Sequence, residues 1–551
     1  MDRVLFIIPP HIQFNDFVSP AYNARVVQKK GRAFGSVLTD MPLGVLSISS
    51  YIKQHADVEV KLLDFNVVLN KIQEFKSDSF GSLFYDVLSD WINYSPTVIG
   101  ISTLFTSAYD NTLQLGQTCR KLFPLAIITA GGGVPTNLYR EIFSSCKSFD
   151  ALCFGEGELP FLDLLKAQDK KQSLMSNPAW ITREKSQTNA TFLPAFIENL
   201  DEIPFCDYDI CNPDDYSLNP AITAYAGGAN EKLQNFHVMT SRGCTHRCCF
   251  CSSHTVHGRS MRYFSLSRVE EDLRCLRDRY GAKTIVFQDD HFMADKRRAK
   301  QVIQFVRALK MNTVFQNGLA LYALDRDMLE LLKDAGVNQL LLSVESGSER
   351  VLRHIMHKPL DLSIVKRVAN DCRELGIYTN TNILIGLPGE TKKDIEDAIA
   401  FLKTIPCNWY MIFCATPLVG SEMYEICKQK GYLNDNHIGA DYKHACISTE
   451  DFTATEIQQS AYDMNIELNF VNNWDFKLGH YEAALKGFEN VIRAKDDHAI
   501  AYFYAARCLE KTGDLDKAHQ YMQTAQREGA TPFWKKYFDR FGLFDENCLT
   551  T

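Results

Sequence analysis

Four cysteines lie within eight residues near the middle of the chain, in the run Cys244-Thr-His-Arg-Cys248-Cys249-Phe-Cys251. Three of them, Cys244, Cys248 and Cys251, follow the spacing CxxxCxxC. A short loop with this spacing can turn three thiolates toward one centre, and soft thiolate ligands suit zinc or an iron–sulfur cluster. The loop is therefore the first candidate for a metal centre.

The spacing leaves two kinds of metal centre open. A structural zinc ion takes four ligands, so it would need His246, His254 or His257 beside the three cysteines. An iron–sulfur cluster held by three cysteines instead leaves one iron free to bind a small molecule. The spacing favours the cluster.

Residues 237–447 around this loop alternate between short apolar runs and helical patterns. The apolar runs predict strands at Thr284–Phe287, Gln339–Val344, Thr381–Ile385 and Trp409–Phe413. Helices fit between them, for example at Ser267–Tyr280 and Asp325–Ala335. Repeated βα units of this length predict a full or partial TIM-type barrel.

The cysteine loop in this setting resembles the radical S-adenosylmethionine (SAM) enzymes. The matching features are an aromatic residue before the last cysteine, a strand-like segment at 236–240 before the loop, and βα units after it. The resemblance implies a four-iron four-sulfur cluster on Cys244, Cys248 and Cys251, with the amino and carboxylate groups of SAM on the open iron. It also implies reductive cleavage of SAM to methionine and a 5′-deoxyadenosyl radical. Cys249 falls outside the spacing.

Downstream segments match the same family in order. Those expected near SAM are Phe287-Gln-Asp289-Asp290, Ser343-Val-Glu345-Ser346-Gly347 and Ile383-Leu-Ile385-Gly386-Leu387-Pro388-Gly389-Glu390. The resemblance implies SAM contacts from Asp289, Asp290, Ser343, Glu345, Ile385 and Gly386. The run Pro417-Leu-Val-Gly420-Ser421 resembles a loop late in the barrel of this subgroup.

Residues 1–165 predict a Rossmann-like parallel sheet covered by helices on both faces, with strands at Val4–Ile8, Val58–Leu63, Val98–Ser102 and Leu125–Thr129. Small and polar residues follow several of these strands, where open α/β sheets bind ligands. They are Ser102, Thr103, Gly131, Gly132, Gly133, Thr136, Gly155 and Glu156. The glycines could also be simple turns, because no GxGxxG fingerprint is present.

Beside a radical SAM barrel, this sheet resembles the cobalamin-binding domain that precedes the barrel in one large subfamily. The resemblance adds Pro42, Gly44 and Asp64 to the residues above as candidate cobalamin contacts. Many cobalamin domains outside the subfamily use DxHxxG, whose histidine ligates cobalt. No histidine here fits that motif, because His291 has Asp289 two residues before it but Ala294 three after it. Recognition would rest on backbone and Ser/Thr contacts, and the alternative is a degenerate sheet kept as scaffold.

The remaining segments are a proline-rich connector at 166–236, a linker helix at 448–470 and an all-α segment at 471–551. In the last of these, Gly479, Tyr481, Ala484 and Phe488 recur after 34 positions as Gly513, Leu515, Ala518 and Met522. This period resembles the tetratricopeptide repeat. Two repeats and a capping helix at Phe533–Phe541 are too few to be stable alone. We therefore expect them to pack against the rest of the chain or against a partner. A cap on the barrel and a docking platform remain alternatives.

Composition limits the function classes. The chain has 551 residues, a net charge of −8 and 46% hydrophobic residues, so several folded units are expected and a broad nucleic-acid surface is not. No apolar run reaches the ~18 residues of a membrane span, and Val4–Pro10 is too short for a signal peptide. Its 17 cysteines do not have the spacing of a disulfide framework. We expect a reducing, cytoplasmic location.

The leading hypothesis is a cobalamin-dependent radical SAM methyltransferase acting on an unactivated carbon. Alternatives are a cyclase or rearrangement enzyme of the same family, and, in another class, an iron–sulfur scaffold or redox sensor that recruits partners through its repeats. The expected partners are a small-molecule, carrier-bound or peptide-bound substrate and an electron donor such as flavodoxin or ferredoxin. No catalytic residue is assigned. For the substrate, the sequence suggests only candidate residues that could line its pocket, namely Tyr378, Trp409, Tyr410, Phe413 and Cys414.

Overall fold

The computed structural model describes residues 1–20, 26–218, 234–434, 438 and 444–543. Parts of the predicted connector (219–233), of the predicted barrel segment (435–437 and 439–443) and of the predicted tail (544–551) lie outside these ranges. Among the helices within them, none is long and apolar enough to span a membrane.

The first domain is built on a six-stranded sheet in the order β4-β1-β5-β6-β7-β8. All neighbours are parallel except the last pair. The predicted parallel sheet is confirmed, although β6 starts two residues later than expected because Leu125 is 97% exposed. The strands, with a separate β2–β3 hairpin, are β1 (Asp2–Ile8), β2 (Val26–Lys29), β3 (Arg32–Gly35), β4 (Val58–Asp64), β5 (Val98–Ser102), β6 (Ile127–Gly131), β7 (Ala151–Cys153) and β8 (Trp180–Ile181).

Helices cover both faces of this sheet. They are α1 (Phe14–Val18), α2 (Leu43–His55), α3 (Phe65–Lys71), α4 (Phe80–Ser89), α5 (Tyr109–Leu122), α6 (Gly133–Asn137), α7 (Tyr139–Ser145), α8 (Glu158–Lys166), α9 (Lys170–Ser176) and α10 (Arg183–Ser186). The sheet extends beyond the predicted boundary at residue 165, because β8 adds an antiparallel edge strand. A strand of two residues carries no periodicity, so it is identified only in the structure, by the pairing of Ile181 with Leu152 of β7.

The second domain is a partial barrel of six parallel strands. They form two sheets, β9-β12-β13 and β14-β15-β16, joined by one parallel bridge between Leu319 and Leu342. The parallel strands are β9 (Asn235–Val238), β12 (Thr284–Phe287), β13 (Asn312–Phe315), β14 (Gln339–Glu345), β15 (Tyr378–Ile385) and β16 (Trp409–Cys414), and a short antiparallel pair is β10 (Ser241–Arg242) with β11 (Arg262–Tyr263). The predicted barrel is confirmed in its partial form, with β13 as a strand that the sequence did not indicate.

The helices of the barrel lie between its strands. They are α11 (His254–His257), α12 (Leu266–Tyr280), α13 (Lys296–Ala308), α14 (Arg326–Asp334), α15 (Ser363–Glu374), α16 (Lys392–Leu402) and α17 (Glu422–Lys430). The tail is all helical, with α18 (Ala454–Ile466), α19 (Trp474–Lys477), α20 (Tyr481–Ala494), α21 (Ala499–Thr512), α22 (Leu515–Gly529) and α23 (Pro532–Phe541).

The tail covers the open edge of the barrel at β16. The side-chain amide of Asn469 accepts from the Tyr410 amide at 2.7 Å and donates to the Tyr410 carbonyl at 2.8 Å, as a neighbouring strand would. Asp475 is buried and accepts from Arg373 and from Asn408 beside the same edge. These contacts satisfy edge groups that a complete barrel would pair with further strands.

The last helices pack against each other as well as against the barrel. Gly479 and Gly513, 34 positions apart, both have positive φ, and Gly513 ends α21 in the left-handed conformation. The Tyr537 hydroxyl of α23 donates to Asp463 of α18 at 2.8 Å. The expected packing of the last helices against the rest of the chain is therefore observed. The tetratricopeptide assignment remains a prediction.

We predict that Asn469→Leu destabilises the junction of barrel and tail by about 2 to 4 kcal/mol, because it leaves a buried N–H and a buried C=O of Tyr410 without partners. Thermal unfolding and limited proteolysis of the tail would measure the effect. Asn490→Leu, on the exposed face of α20, is the matched control. Equal melting temperatures for the two variants would contradict the role assigned to Asn469.

Candidate functional site

The cysteine loop is held at its base by two short strands. Arg242 of β10 pairs with Arg262 of β11, so the loop leaves and re-enters the domain at one point. Gly243 follows with φ +93, and a Cβ there would overlap the carbonyl of Ser260. Only glycine fits this first position of the loop.

The three predicted ligands lie on the same loop, half-buried. The Cys251 amide donates to the Cys248 carbonyl at 3.1 Å, and Cys251 Sγ lies 3.4 Å from Ser253 Oγ. Burial raises the pKa of Cys244 to about 11, and its cysteine neighbours at 248 and 251 add to the rise. Without a bound cation Cys244 is therefore a neutral thiol, and metal binding would deprotonate it.

Cys249 is more deeply buried than the other three cysteines of the loop. It is buried, its amide donates to the Met356 carbonyl, and its carbonyl accepts from the Met423 amide, both at 2.9 Å. The residue fastens the loop to the barrel, in agreement with its place outside the spacing.

Two of the three histidines considered as zinc ligands, His246 and His257, have other partners. His257 Nδ1 lies 2.9 Å from Glu156 Oε1, and the His246 ring packs 4.5 Å from the His291 ring. Within the described ranges, no three His, Cys, Asp or Glu side chains surround one ion position. The ligands of different irons in a cluster need not converge in that way.

Asp289 and Asp290, which follow β12, support the base of the cysteine loop. Asp289 Oδ1 accepts from the Thr240 hydroxyl at 2.8 Å and the Ser241 hydroxyl at 2.6 Å. Burial raises the pKa of Asp289, and these hydrogen bonds oppose the rise. Asp290 Oδ2 accepts from the Gly243 amide at 3.4 Å. Asp289 is wholly enclosed and Asp290 is half-buried.

Ser343 and Glu345 lie at the end of β14, where the register with β15 shifts between them. Glu345 has φ +68, an uncommon conformation for a non-glycine residue and one that concentrates at functional sites. Burial raises the pKa of Glu345, while Lys358, with Nζ at 3.7 Å, lowers it. Sequence patterns had not singled out Lys358.

Asn382 of β15 is a second residue that sequence reasoning missed. It is the register partner of Ser343. Its Oδ1 is buried, and no donor reaches it from the described residues. A buried acceptor without a partner is costly, and SAM carries ammonium and hydroxyl donors. This side of the barrel therefore fits the predicted cofactor.

Ile385 and Gly386 end β15 in a tight turn. Gly386 has φ +87, and a Cβ there would lie 2.7 Å from Ile457. Glu390 Oε2 accepts from the amides of Gly386 at 2.6 Å and Leu387 at 3.1 Å. Burial raises the pKa of Glu390 to about 7 although these amides lower it. The turn is thus shaped by a buried carboxyl group.

The carboxyl edge of the first sheet is close-packed around its glycines. The Thr103 amide donates to the Gly131 carbonyl at 2.9 Å, and a Cβ on Gly132 would lie 2.5 Å from the Thr103 carbonyl oxygen. Ser102 and Gly133 are half-buried, as is Pro42 before α2. A Cβ on Gly44, at the start of α2, would meet no atom within 4 Å. Backbone, small side chains and an open helix start fit a large ligand held mainly by backbone contacts.

Two candidate cobalamin contacts are buried and serve the domain's own backbone. Asp64 caps α3 by accepting from the Asn66 amide at 2.8 Å, and it also accepts from the Tyr216 hydroxyl at 3.1 Å. Burial raises the pKa of Asp64 to about 6. Thr136 Oγ1 accepts from the Gly155 amide at 3.2 Å. Both side chains fix the loops rather than open toward a ligand.

Glu156 joins the two domains. Its Oε2 lies 2.9 Å from Arg242 Nη1 and its Oε1 lies 2.5 Å from Arg262 Nη2. Glu158, the first residue of α8, accepts from Arg242 at 2.7 Å and from Ser47 at 2.5 Å. Burial alone would raise the pKa of Glu156, but Arg242, then His257 and Arg262, hold it well below its ordinary value. A carboxylate at this position stays ionised.

A second polar cluster crosses the domain interface at the strand ends. Gln316, after β13, donates to Asp40 Oδ2 at 2.9 Å, and Gln288, after β12, lies 2.9 Å from His237 Nδ1. His237 Nε2 lies 3.7 Å from Asp40 Oδ1. Burial lowers the pKa of His237, so Asp40 faces a neutral imidazole. None of these residues had a sequence signal beyond its place after a strand.

Comparison with known families matches both domains. Residues 35–165 match the B12 binding domain, and residues 238–402 match the Radical SAM superfamily.

Relatives extend over most of the chain. Cytidylyl-2-hydroxyethylphosphonate methyltransferase of Streptomyces wedmorensis is 26% identical over 78% of this chain and 86% of its own length. The anaerobic magnesium-protoporphyrin IX monomethyl ester cyclase of Synechocystis sp. is 22% identical over 81% of each chain. Hopanoid C-3 methylase of Methylococcus capsulatus is 22% identical over 74% of this chain and 72% of its own.

Two solved structures share the whole architecture. The radical SAM methyltransferase TsrM of Kitasatospora setae, with cobalamin and a [4Fe-4S] cluster bound, covers 96% of this chain and 100% of its own at a TM-score of 0.58 and 13% identity. The cobalamin-dependent SAM radical enzyme OxsB covers 100% of this chain and 82% of its own at a TM-score of 0.61 and 14% identity. With both domain families matched in this order, the chain is a radical SAM enzyme with an amino-terminal cobalamin-binding domain.

Proposed function

We propose that this enzyme is a cobalamin-dependent methyltransferase that methylates a carbon of a small-molecule or carrier-bound substrate. One observation carries the proposal: the carboxyl edge of the cobalamin domain and the cysteine loop of the barrel lie against each other, joined through Glu156, Arg242 and Arg262. Two cofactors that act on one substrate must approach it closely, and this arrangement brings their sites together.

The three groups supply the chemistry when bound: the cluster delivers one electron to SAM, one SAM molecule supplies a radical and a second SAM molecule supplies a methyl group, and cobalamin carries that methyl group. The chain's residues hold and shield these groups. Cys244, Cys248 and Cys251 would ligate the cluster, and Asp289 and Asp290 hold the loop that carries them. SAM would lie along Ser343, Glu345, Asn382 and the turn at Gly386.

Cobalamin would rest on the first sheet against Gly44, Ser102 and the glycines at 131–133. Thr103, Thr136, Asp64 and Gly155 then act indirectly, since their polar groups are used to shape these loops. Glu156, with its carboxylate fully paired, belongs to the junction with the barrel. The substrate would enter between the two carboxyl edges, beside the cluster of Asp40, Gln288 and Gln316.

A cyclase is the second candidate, because the Synechocystis relative covers as much of the chain as the methyltransferases do. We favour methyl transfer because the 26% identical relatives, from Streptomyces wedmorensis and Pyrococcus horikoshii, are both named methyltransferases. The electron donor would be a flavodoxin or ferredoxin. The family assignment leaves a pure scaffold or sensor without support.

We predict that Cys244→Ala/Cys248→Ala/Cys251→Ala abolishes cluster binding and reductive SAM cleavage, because each thiolate would ligate one iron of the cluster. Iron content and 5′-deoxyadenosine formation after anaerobic reconstitution and dithionite reduction would measure this. Cys249→Ser should retain iron and cleavage within a few-fold, because Cys249 contacts the barrel through its backbone. Full cleavage by the triple variant would overturn the ligand assignment.

We predict that Gly44→Phe weakens hydroxocobalamin binding at least tenfold, whereas Gly44→Ala changes it little. The space beside Gly44 is open, so both side chains should be tolerated by the fold, and only the ring should occupy ligand volume. Equilibrium dialysis would give the Kd values, with circular dichroism as the check on folding. Equal affinity for Gly44→Phe and the unmodified enzyme would place cobalamin elsewhere.

A further inference from the structure

The loops assigned to the two cofactors touch at two separate places. At the first, Glu156 of the loop after β7 binds both arginines at the base of the cysteine loop. At the second, Asn137 Nδ2, at the end of α6, donates to Thr255 Oγ1 at 2.9 Å, four residues after Cys251. We call these two contacts the interdomain clamp.

The first contact is rigid because it is buried and ionised. The side chains of Glu156, Arg242 and Arg262 are 2%, 7% and 5% exposed. Removing one partner from such a group leaves an unpaired buried charge, which is strongly destabilising. The loop after β7 and the strand pair β10–β11 therefore move together or not at all.

The second contact ties the glycine loop to the segment after the cysteines. Asn137 also donates to the Gly133 carbonyl at 2.9 Å, so its amide holds the glycine loop and Thr255 at once. Gly420 of the barrel packs against the same amide and has no room for a Cβ. The glycine loop is thus fixed by the barrel as well as by its own sheet.

The chain path places each contact next to a predicted ligand. Arg242 precedes Cys244 by two residues, and Glu156 follows Gly155 directly, whose amide binds Thr136. A change in loop geometry when one group binds can reach the loop of the other through the clamp. Two sites that bias the same contact share a coupling free energy, and that coupling is reciprocal.

We propose that Glu156 is a positioning residue that couples cobalamin binding to assembly of the iron–sulfur cluster, so that each cofactor strengthens binding of the other. This inference rests on the proposed function, since it needs both groups at these loops. It has one measurable consequence: apoprotein binds cobalamin more weakly than protein that already holds the cluster.

The test compares hydroxocobalamin Kd, by anaerobic equilibrium dialysis, for apoprotein and for the same protein after cluster reconstitution. The expected ratio of the two values is about fivefold or more in the unmodified chain, within the usual range of allosteric coupling. Glu156→Gln should bring the ratio close to one while leaving the apoprotein Kd within a few-fold. Glu156→Asp should restore part of the ratio.

Asp475→Asn is the matched control, because Asp475 is also buried and paired with an arginine, at the opposite edge of the barrel. It should lower stability and keep the ratio. If Glu156→Gln does not fold, Asn137→Ala, which removes the second contact alone, should reduce the ratio instead.

A ratio of one in the unmodified chain, or an unchanged ratio in Glu156→Gln and Asn137→Ala, would overturn the coupling while leaving the proposed function intact. Absence of cobalamin binding to the reconstituted protein would instead remove the cobalamin part of the proposed function, and the coupling with it. The two failures are therefore distinguishable.

Discussion

The architecture depends on one buried ion cluster, in which Glu156 and Glu158 of the first domain meet Arg242 and Arg262 of the second. Such a cluster is costly to bury, and its charges compensate each other only in one geometry. The observed orientation pairs both carboxylates with arginines, although Arg242 Nε has no hydrogen-bond partner among the described residues. That orientation brings the carboxyl edges of a sheet and of a barrel to one space.

The cysteine loop is rigid because its supports come from several elements. Aspartates after β12 bind its entry, β11 pairs with its base, and Met356 and Met423 bind the backbone of Cys249. An iron–sulfur site with an open iron needs such support, since three ligands alone leave the loop free to rearrange. The uncommon backbone of Glu345 and the orphan oxygen of Asn382 lie on the other half of the barrel, where a bound cofactor would complete the pairing.

A six-stranded parallel barrel leaves an open edge, and in this protein the helical tail covers that edge. Asn469 pairs with the backbone of Tyr410, and α20 brings Gly487 against Trp409, where a Cβ would lie 3.2 Å from the ring. These contacts make the tail part of the barrel's structure, which supports the cap among the two roles considered for it.

The sequence by itself determined the local elements and the chemistry of the main motif. Apolar runs placed most of the parallel strands, and the cysteine spacing with its flanking segments identified the family. These signals are local, because hydrophobic periodicity and ligand spacing depend only on residues that are close together in the sequence. By contrast, β8 has only two residues, and β13 begins with the polar residues Asn312 and Thr313, so neither forms a recognisable apolar run. Only the tertiary structure showed that the side chains of Asp64, Thr136 and Asp289 form hydrogen bonds that fix nearby loops. It also showed that Glu156 pairs across the two domains, and that Lys358 and Asn382 lie beside the predicted SAM residues of the barrel. Each of these roles depends on partners 13 to 152 positions away or on the loss of solvent, which residue type and spacing do not encode.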